Sequence, residues 1–216
     1  MATVRRILVS ISYLLATPGF VSAQNRLEVI KEATITVDRN QRFQTVDGFG
    51  FCEAFQRAHT IKNLPDAPQK EVLDLLFSKE KGAGFSIVRV GLGSSPDSSL
   101  DHMNSIAPNP PAGLTASSPL TYVWDRNDSN QIWISQRAME YGVDMFYADA
   151  WSAPGYMKTN GRDDQGGYLC GVTGTACASG NWIKAYADYL VQYVKFYLSE
   201  GIPIRYLGFV NEPNLV

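Results

Sequence analysis

The sequence is poor in histidine, cysteine and contiguous charge. Two histidines, His59 and His102, and three cysteines in 216 residues form no cluster at metal-ligand spacing, so neither a metal site nor a cofactor is expected. Lys and Arg number 19 against 21 Asp and Glu, a net charge of −2 with no basic block. A phosphate backbone would have nothing to hold, which excludes nucleic acid as a partner. No glycine-rich phosphate fingerprint follows the first strand-like run, which argues against a dinucleotide fold. No apolar run reaches the roughly 20 residues of a permanent membrane anchor. The apolar stretch 7–16 instead follows Arg5-Arg6 and precedes Val21-Ser22-Ala23, small residues at cleavage spacing. That pattern predicts a secretory signal peptide over 1–23, a mature chain from Gln24, no membrane anchor and an extracellular location.

What is present is ordinary for a globular protein: 45% hydrophobic and 19% charged residues. Cys170 and Cys177 lie in the Gly/Thr/Ala-rich stretch YLCGVTGTACASGNW. In an oxidising compartment they read as a small disulfide ring, with a zinc pair as the alternative. Cys52, in an apolar setting, is left as a buried thiol.

Along the mature chain, strand-like and helix-like runs alternate. The run 32–38 (EATITVD) has the period of two of a half-exposed antiparallel strand. Four further runs, 46–51, 85–92, 143–150 and 204–210, are more continuously apolar and fit strands covered on both faces. Helices are predicted over 53–63, 68–78, 129–141 and 181–200. The last carries Trp182, Tyr186, Leu190, Tyr193 and Tyr197 on one face, and that stripe is expected to be core. Strand, helix, strand, helix implies an α/β protein with parallel strands. A doubly wound sheet and a βα barrel both fit. Loop lengths favour the barrel: the connections after the strands, 93–128 and 151–180, are long, and those leading into them are tight. A complete (β/α)8 barrel takes about 250 residues, so four strands are expected to be its N-terminal half, truncated after the fourth. The predicted organisation is 1–23 leader, 24–43 N-terminal segment, and 44–216 partial barrel.

The chemistry is expected at the strand ends. Glu212 follows the fourth run in LGFVNEPN, and Pro213 disfavours helical angles at the residue before it, which predicts an extended Glu212. Asn211 adds an amide that both donates and accepts. A carboxyl beside an amide suits glycoside chemistry, the acid protonating a departing oxygen and the amide holding a sugar hydroxyl. Trp151, after the third run, offers an indole face to a pyranose ring. Arg89, within the second, is suited to orienting a carboxylate or to a structural ion pair. Glu53 and Asp149 are further carboxylates at strand ends.

The stretches QTVDGFGFCEAFQRA, FSIVRVGLGSS, AWSAPGYMKTNG, YLCGVTGTAC and LGFVNEPN together resemble glycoside hydrolase family 30, whose members are retaining (β/α)8 glycosidases. The resemblance implies that Glu212 is the general acid/base, with Asn211 beside it and Trp151 in the glycone subsite. It implies that strand 32–38 belongs to a side β-sandwich and that the nucleophilic Glu follows a seventh strand, so that this chain alone is expected to be inactive. GFCEAFQRA and the small cysteine loop are most similar to the fungal secreted branch acting on glucuronoxylan, which makes Arg57 a candidate for the glucuronic acid carboxylate. Other branches act on glucosylceramide or on β-1,6-linked glucan and galactan. A non-catalytic carbohydrate-binding role is the remaining alternative.

Overall fold

The computed structural model describes residues 38, 40–53, 57–95 and 103–214. The chain divides into two units, Met1–Gln44 and Thr45–Val216, and the fold described here is that of the second. The leader over 1–23 and, apart from Asp38, the strand expected over 32–38 lie outside the described residues.

The elements run β1 (Gly50–Cys52), α1 (Arg57–Lys62), α2 (Asp66–Phe77), β2 (Ile87–Leu92), β3 (Ser94–Ser95), β4 (Met103–Asn104), α3 (Gln131–Glu140), β5 (Met145–Ala150), α4 (Ile183–Ser199) and β6 (Ile204–Gly208). The main sheet has the order β1-β2-β5-β6, with every pairing parallel. Each new strand is added on the same side, without the reversal that marks a doubly wound sheet. This is the winding of four successive strands of a (β/α)8 barrel.

Side-chain alternation divides the sheet into two faces. Val88, Val90 and Leu92 of β2, with Phe146, Ala148 and Ala150 of β5, are buried against the helices. The intervening positions Arg89, Tyr147 and Asp149 share the other face, the barrel interior. The stripe on α4 packs as expected: Trp182, Tyr186, Leu190, Tyr193 and Tyr197 are buried, and Tyr189 joins them. Such aromatics remove large apolar areas from water and dominate the core. The helix stops at Gly201, whose φ of 81° accepts the left-handed turn that returns the Ile202 N–H to the Tyr197 carbonyl at 2.9 Å.

Several expectations are corrected. The first strand is shorter than 46–51, spanning only Gly50–Cys52, and Val46 and Phe49 are exposed. Gly50 sets that start, because a Cβ there would lie 2.1 Å from the Ile87 carbonyl oxygen. The helix predicted from 68 begins at Asp66, and the one predicted over 53–63 is described over Arg57–Lys62. The stretch 93–128, expected as loop alone, carries the β3–β4 parallel ladder. β6 is not covered on both faces: Tyr206 and Leu207 are exposed, and among the described residues nothing pairs with its outer edge. At the opposite edge β1 ends one level below Gly91. There the Gln131 side chain substitutes for a strand, accepting from the Gly91 N–H at 2.6 Å and donating to its carbonyl at 3.1 Å.

Candidate active site

The inward-facing residues at the C-terminal ends of the four main strands meet on one guanidinium. Arg89, on β2, forms an ion pair with the buried Asp149 of β5. Its Nη2 also donates to Asn211 Oδ1 at 2.6 Å. Its Nη1 lies 3.8 Å from Cys52 Sγ of β1. Above it, the ring of Trp151 is 4.3 Å from the guanidinium carbon, and that of Tyr147 is 5.6 Å away. Burial works against the charge on Arg89, but the bond and the charge of Asp149 outweigh it and hold the guanidinium's pKa above its ordinary value. An ion pair removed from water this far persists only with such additional bonds. Cys52 is half-buried rather than buried, with its sulfur toward the arginine.

The amide orientation of Asn211 follows from this network. With Oδ1 taken by Arg89, Nδ2 points to Glu212 and donates to Oε2 at 3.2 Å. One amide hydrogen remains for an outside acceptor. Tyr186 on α4 pins the strand exit by donating to the Phe209 carbonyl at 2.7 Å. Glu212 itself is exposed. Its backbone contradicts the extended conformation expected from Pro213, since φ is 45°, in the left-handed region. The proline rule is a local steric preference, and here the chain just before the turn is held by the bonds of Tyr186 and Arg89. A non-glycine residue at such an angle carries strain of order 1–3 kcal/mol and is characteristic of functional sites.

Gly208 of β6 makes the cluster possible. A Cβ there would sit 2.0 Å from Asp149 Oδ1 and 2.5 Å from the Tyr147 hydroxyl. The carboxylate therefore occupies the space a side chain on the neighbouring strand would take. Burial first, then the Asp149 charge, raises the Tyr147 phenol above its ordinary pKa.

Of the residues singled out in the sequence, Arg89, Asn211, Glu212 and Trp151 are brought together, with Arg89 covering one face of the Trp151 indole. Arg57 opens α1 with its side chain exposed and is not among the contacts of this cluster. Glu53 faces away from it. It is 1% exposed, and burial, with the Asp128 charge adding to it and the Ala58 N–H opposing, pushes its pKa to about 8. Cys170 and Cys177 are joined by a disulfide with Cα atoms 5.6 Å apart. Among the described residues no group of three or more His, Cys, Asp or Glu could hold a metal. A cavity of about 80 Å³ lined by Asn104, Asp128, Gln131 and Tyr193 lies outside the cluster. Sequence reasoning gave no role to Tyr147 or Gly208, and read Asp149 only as a carboxylate at a strand end. The signal was the spacing Tyr147, Asp149, Trp151, polar-capable side chains at every second position of an otherwise apolar run.

Comparison with known proteins supplies the context. The model of O-glycosyl hydrolase family 30 matches residues 32–216. The chain is similar to the catalytic domain of a family 30 xylanase C from Talaromyces cellulolyticus, at 47% identity and a TM-score of 0.72, covering 80% of this chain and 38% of that one. It is 28% identical over 180 residues to putative glucosylceramidase 2 of Caenorhabditis elegans, covering 82% of this chain and 33% of the relative. It is 27% identical over 181 residues to the endo-1,6-beta-D-glucanase BGN16.3 of Trichoderma harzianum, covering 79% and 34%. The chain thus spans about a third of the length of the curated relatives it matches.

Proposed function

Because the chain belongs to O-glycosyl hydrolase family 30, we propose that it is the acid/base-bearing part of a secreted retaining hydrolase of β-1,4-linked xylan. The observation that carries this reading is the chain of contacts Asp149–Arg89–Asn211–Glu212 at the strand ends. Glu212 protonates the leaving glycosidic oxygen and later takes a proton from water. Asn211, its carbonyl held by Arg89, donates its remaining amide hydrogen to a sugar hydroxyl, a contact that strengthens as the oxocarbenium ion forms. Trp151 stacks on the glycone sugar with the face that Arg89 leaves open. Arg57 meets a glucuronic acid branch where the xylan carries one.

The 47% identity to a xylanase supports xylan over the glucosylceramide and β-1,6-glucan readings, whose curated relatives are 26–28% identical. The Cys170–Cys177 disulfide supports the secretory route, with 1–23 as leader, 24–43 as N-terminal segment and 44–216 as barrel part.

Retention needs a second carboxylate about 5–5.5 Å from the acid/base. Asp149 is buried and paired with Arg89, and Glu53 is buried as well, so neither is open to a sugar. On this reading residues 1–216 by themselves bind xylan without turning it over. Calorimetry with linear and glucuronic-acid-bearing xylo-oligosaccharides, alongside release of reducing ends, tests this. Binding weakened by Trp151→Ala with no hydrolysis is expected. Preferential binding of β-1,6-glucan would remove the xylan assignment. Hydrolysis lost in Glu212→Gln would refute the missing nucleophile while keeping the acid/base.

A further inference from the structure

The sequence holds one Asn-X-Ser/Thr triplet, Asn127-Asp128-Ser129, and nothing in the proposed chemistry uses it. We propose that Asn127 carries an N-linked glycan, an inference that rests on the secretory reading.

Two observations of the structure support it. The first is accessibility. Asn127 is exposed in the turn that leads into α3, between two anchored neighbours. Arg126 Nε donates to Glu200 Oε1 at 2.8 Å, and the Tyr197 hydroxyl donates to Asp128 Oδ2 at 3.1 Å. Both anchors lie at the C-terminal end of α4. The residue that pins the strand exit near Glu212, Tyr186, lies near the other end, roughly 16 Å away along the helix at 1.5 Å per residue.

The second observation is Ser129. It is 8% exposed, its hydroxyl is buried with no hydrogen-bond partner, and its φ is 58°. A buried hydroxyl left unsatisfied is destabilising, and the left-handed angle favours glycine or asparagine. Neither packing nor backbone conformation calls for a serine here. The hydroxyl does have a use before folding, because N-glycosylation requires Ser or Thr at this position of the triplet.

The reaction needs a lipid-pyrophosphate-linked oligosaccharide as co-substrate. Nδ2 of Asn127 attacks C1 of its first sugar and an N–C1 bond forms. The C1–O bond to pyrophosphate breaks, the lipid pyrophosphate leaves with the electron pair, and Nδ2 gives up one proton.

The test is translation of the full chain with endoplasmic-reticulum microsomes, once with its own leader and once with a proven cleavable leader in its place. The expected result is a protease-protected product with a single upward mass shift, removed by peptide-N-glycosidase. The shift is kept in Ser129→Thr and absent in Asn127→Gln and Ser129→Ala. No protection with the native leader would overturn the secretory reading alone, and the exchanged leader would then decide the site. A protected but unshifted product, or a shift that survives Asn127→Gln, would overturn the assignment. Purified Ser129→Ala is expected to unfold at or above the parent's midpoint; a lowered midpoint would show that the hydroxyl has a structural role and would remove the second support.

Discussion

Replacing Glu53 by Gln should flatten the dependence of stability on pH. The Glu53 carboxyl is 1% exposed, and the Ala58 N–H only partly opposes what burial and the Asp128 charge do to it. Its pKa rises from an ordinary 4.5 to about 8, mainly through burial. In the unfolded chain the group ionises near 4.5; in the folded chain it stays protonated until about 8. Between those values the unfolded state binds fewer protons, so stability falls as pH rises. One pKa unit corresponds to about 1.4 kcal/mol, which gives a loss approaching about 5 kcal/mol over the whole window and about 2 kcal/mol between pH 6 and 8. Asp128 acts in the same direction, its pKa pushed by burial to about 6, so its contribution is nearly complete before the upper interval begins. The assay is urea unfolding followed by tryptophan fluorescence at half-unit steps from pH 5 to 8.5. The parent should lose stability through pH 6–8, and Glu53→Gln should be nearly flat there and the more stable of the two at pH 8. Parallel curves for parent and variant across that interval would refute the claim that a buried, protonated Glu53 governs the slope.

Three further outcomes test the packing around the cluster. Arg89→Met leaves the Asp149 carboxylate buried and unpaired and should destabilise the chain by about 3–5 kcal/mol; adding Asp149→Leu should recover much of the loss in the same unfolding assay. Gly208→Ala forces a methyl group against Asp149 Oδ1 and should lower stability by about 1–3 kcal/mol, with circular dichroism reporting an unchanged fold; a neutral result would mean that the β5–β6 spacing yields easily. Converting both Cys170 and Cys177 to serine opens a ring with a sequence separation of 7 and should lower stability by about 2.5 kcal/mol on a loop-closure estimate. The parent under reducing conditions should match that variant.

The parts of the fold that were legible in the sequence are those governed by periodicity. The face of α4 and the β2 and β5 runs depend on local patterning, so they can be read one element at a time. Strand edges could not be read this way. The residues 46–49 have strand composition but remain outside β1, and the capping of Gly91 by Gln131 joins residues 40 apart. The β3–β4 ladder pairs Ser94 with Met103 across a stretch without periodicity.

The site divides along the same line. Glu212 and Asn211 were recognisable from adjacent residues, whereas what orients them comes from three other strands and a helix. Arg89 faces Asp149 only because β2 and β5 pair in register at Arg89–Tyr147 and Gly91–Asp149. Asp149 fits only because β6 places a glycine opposite it. The left-handed turn at Glu212 is the clearest case, because the local rule for a residue before proline points to the wrong conformation. The bonds from Tyr186 to Phe209 and from Arg89 to Asn211 fix the three residues before the turn. They therefore take the choice of angle away from Pro213. An acid/base presented from a strained turn, with its neighbour's amide held by a buried ion pair, depends on all four strands, although its own signature is two residues long.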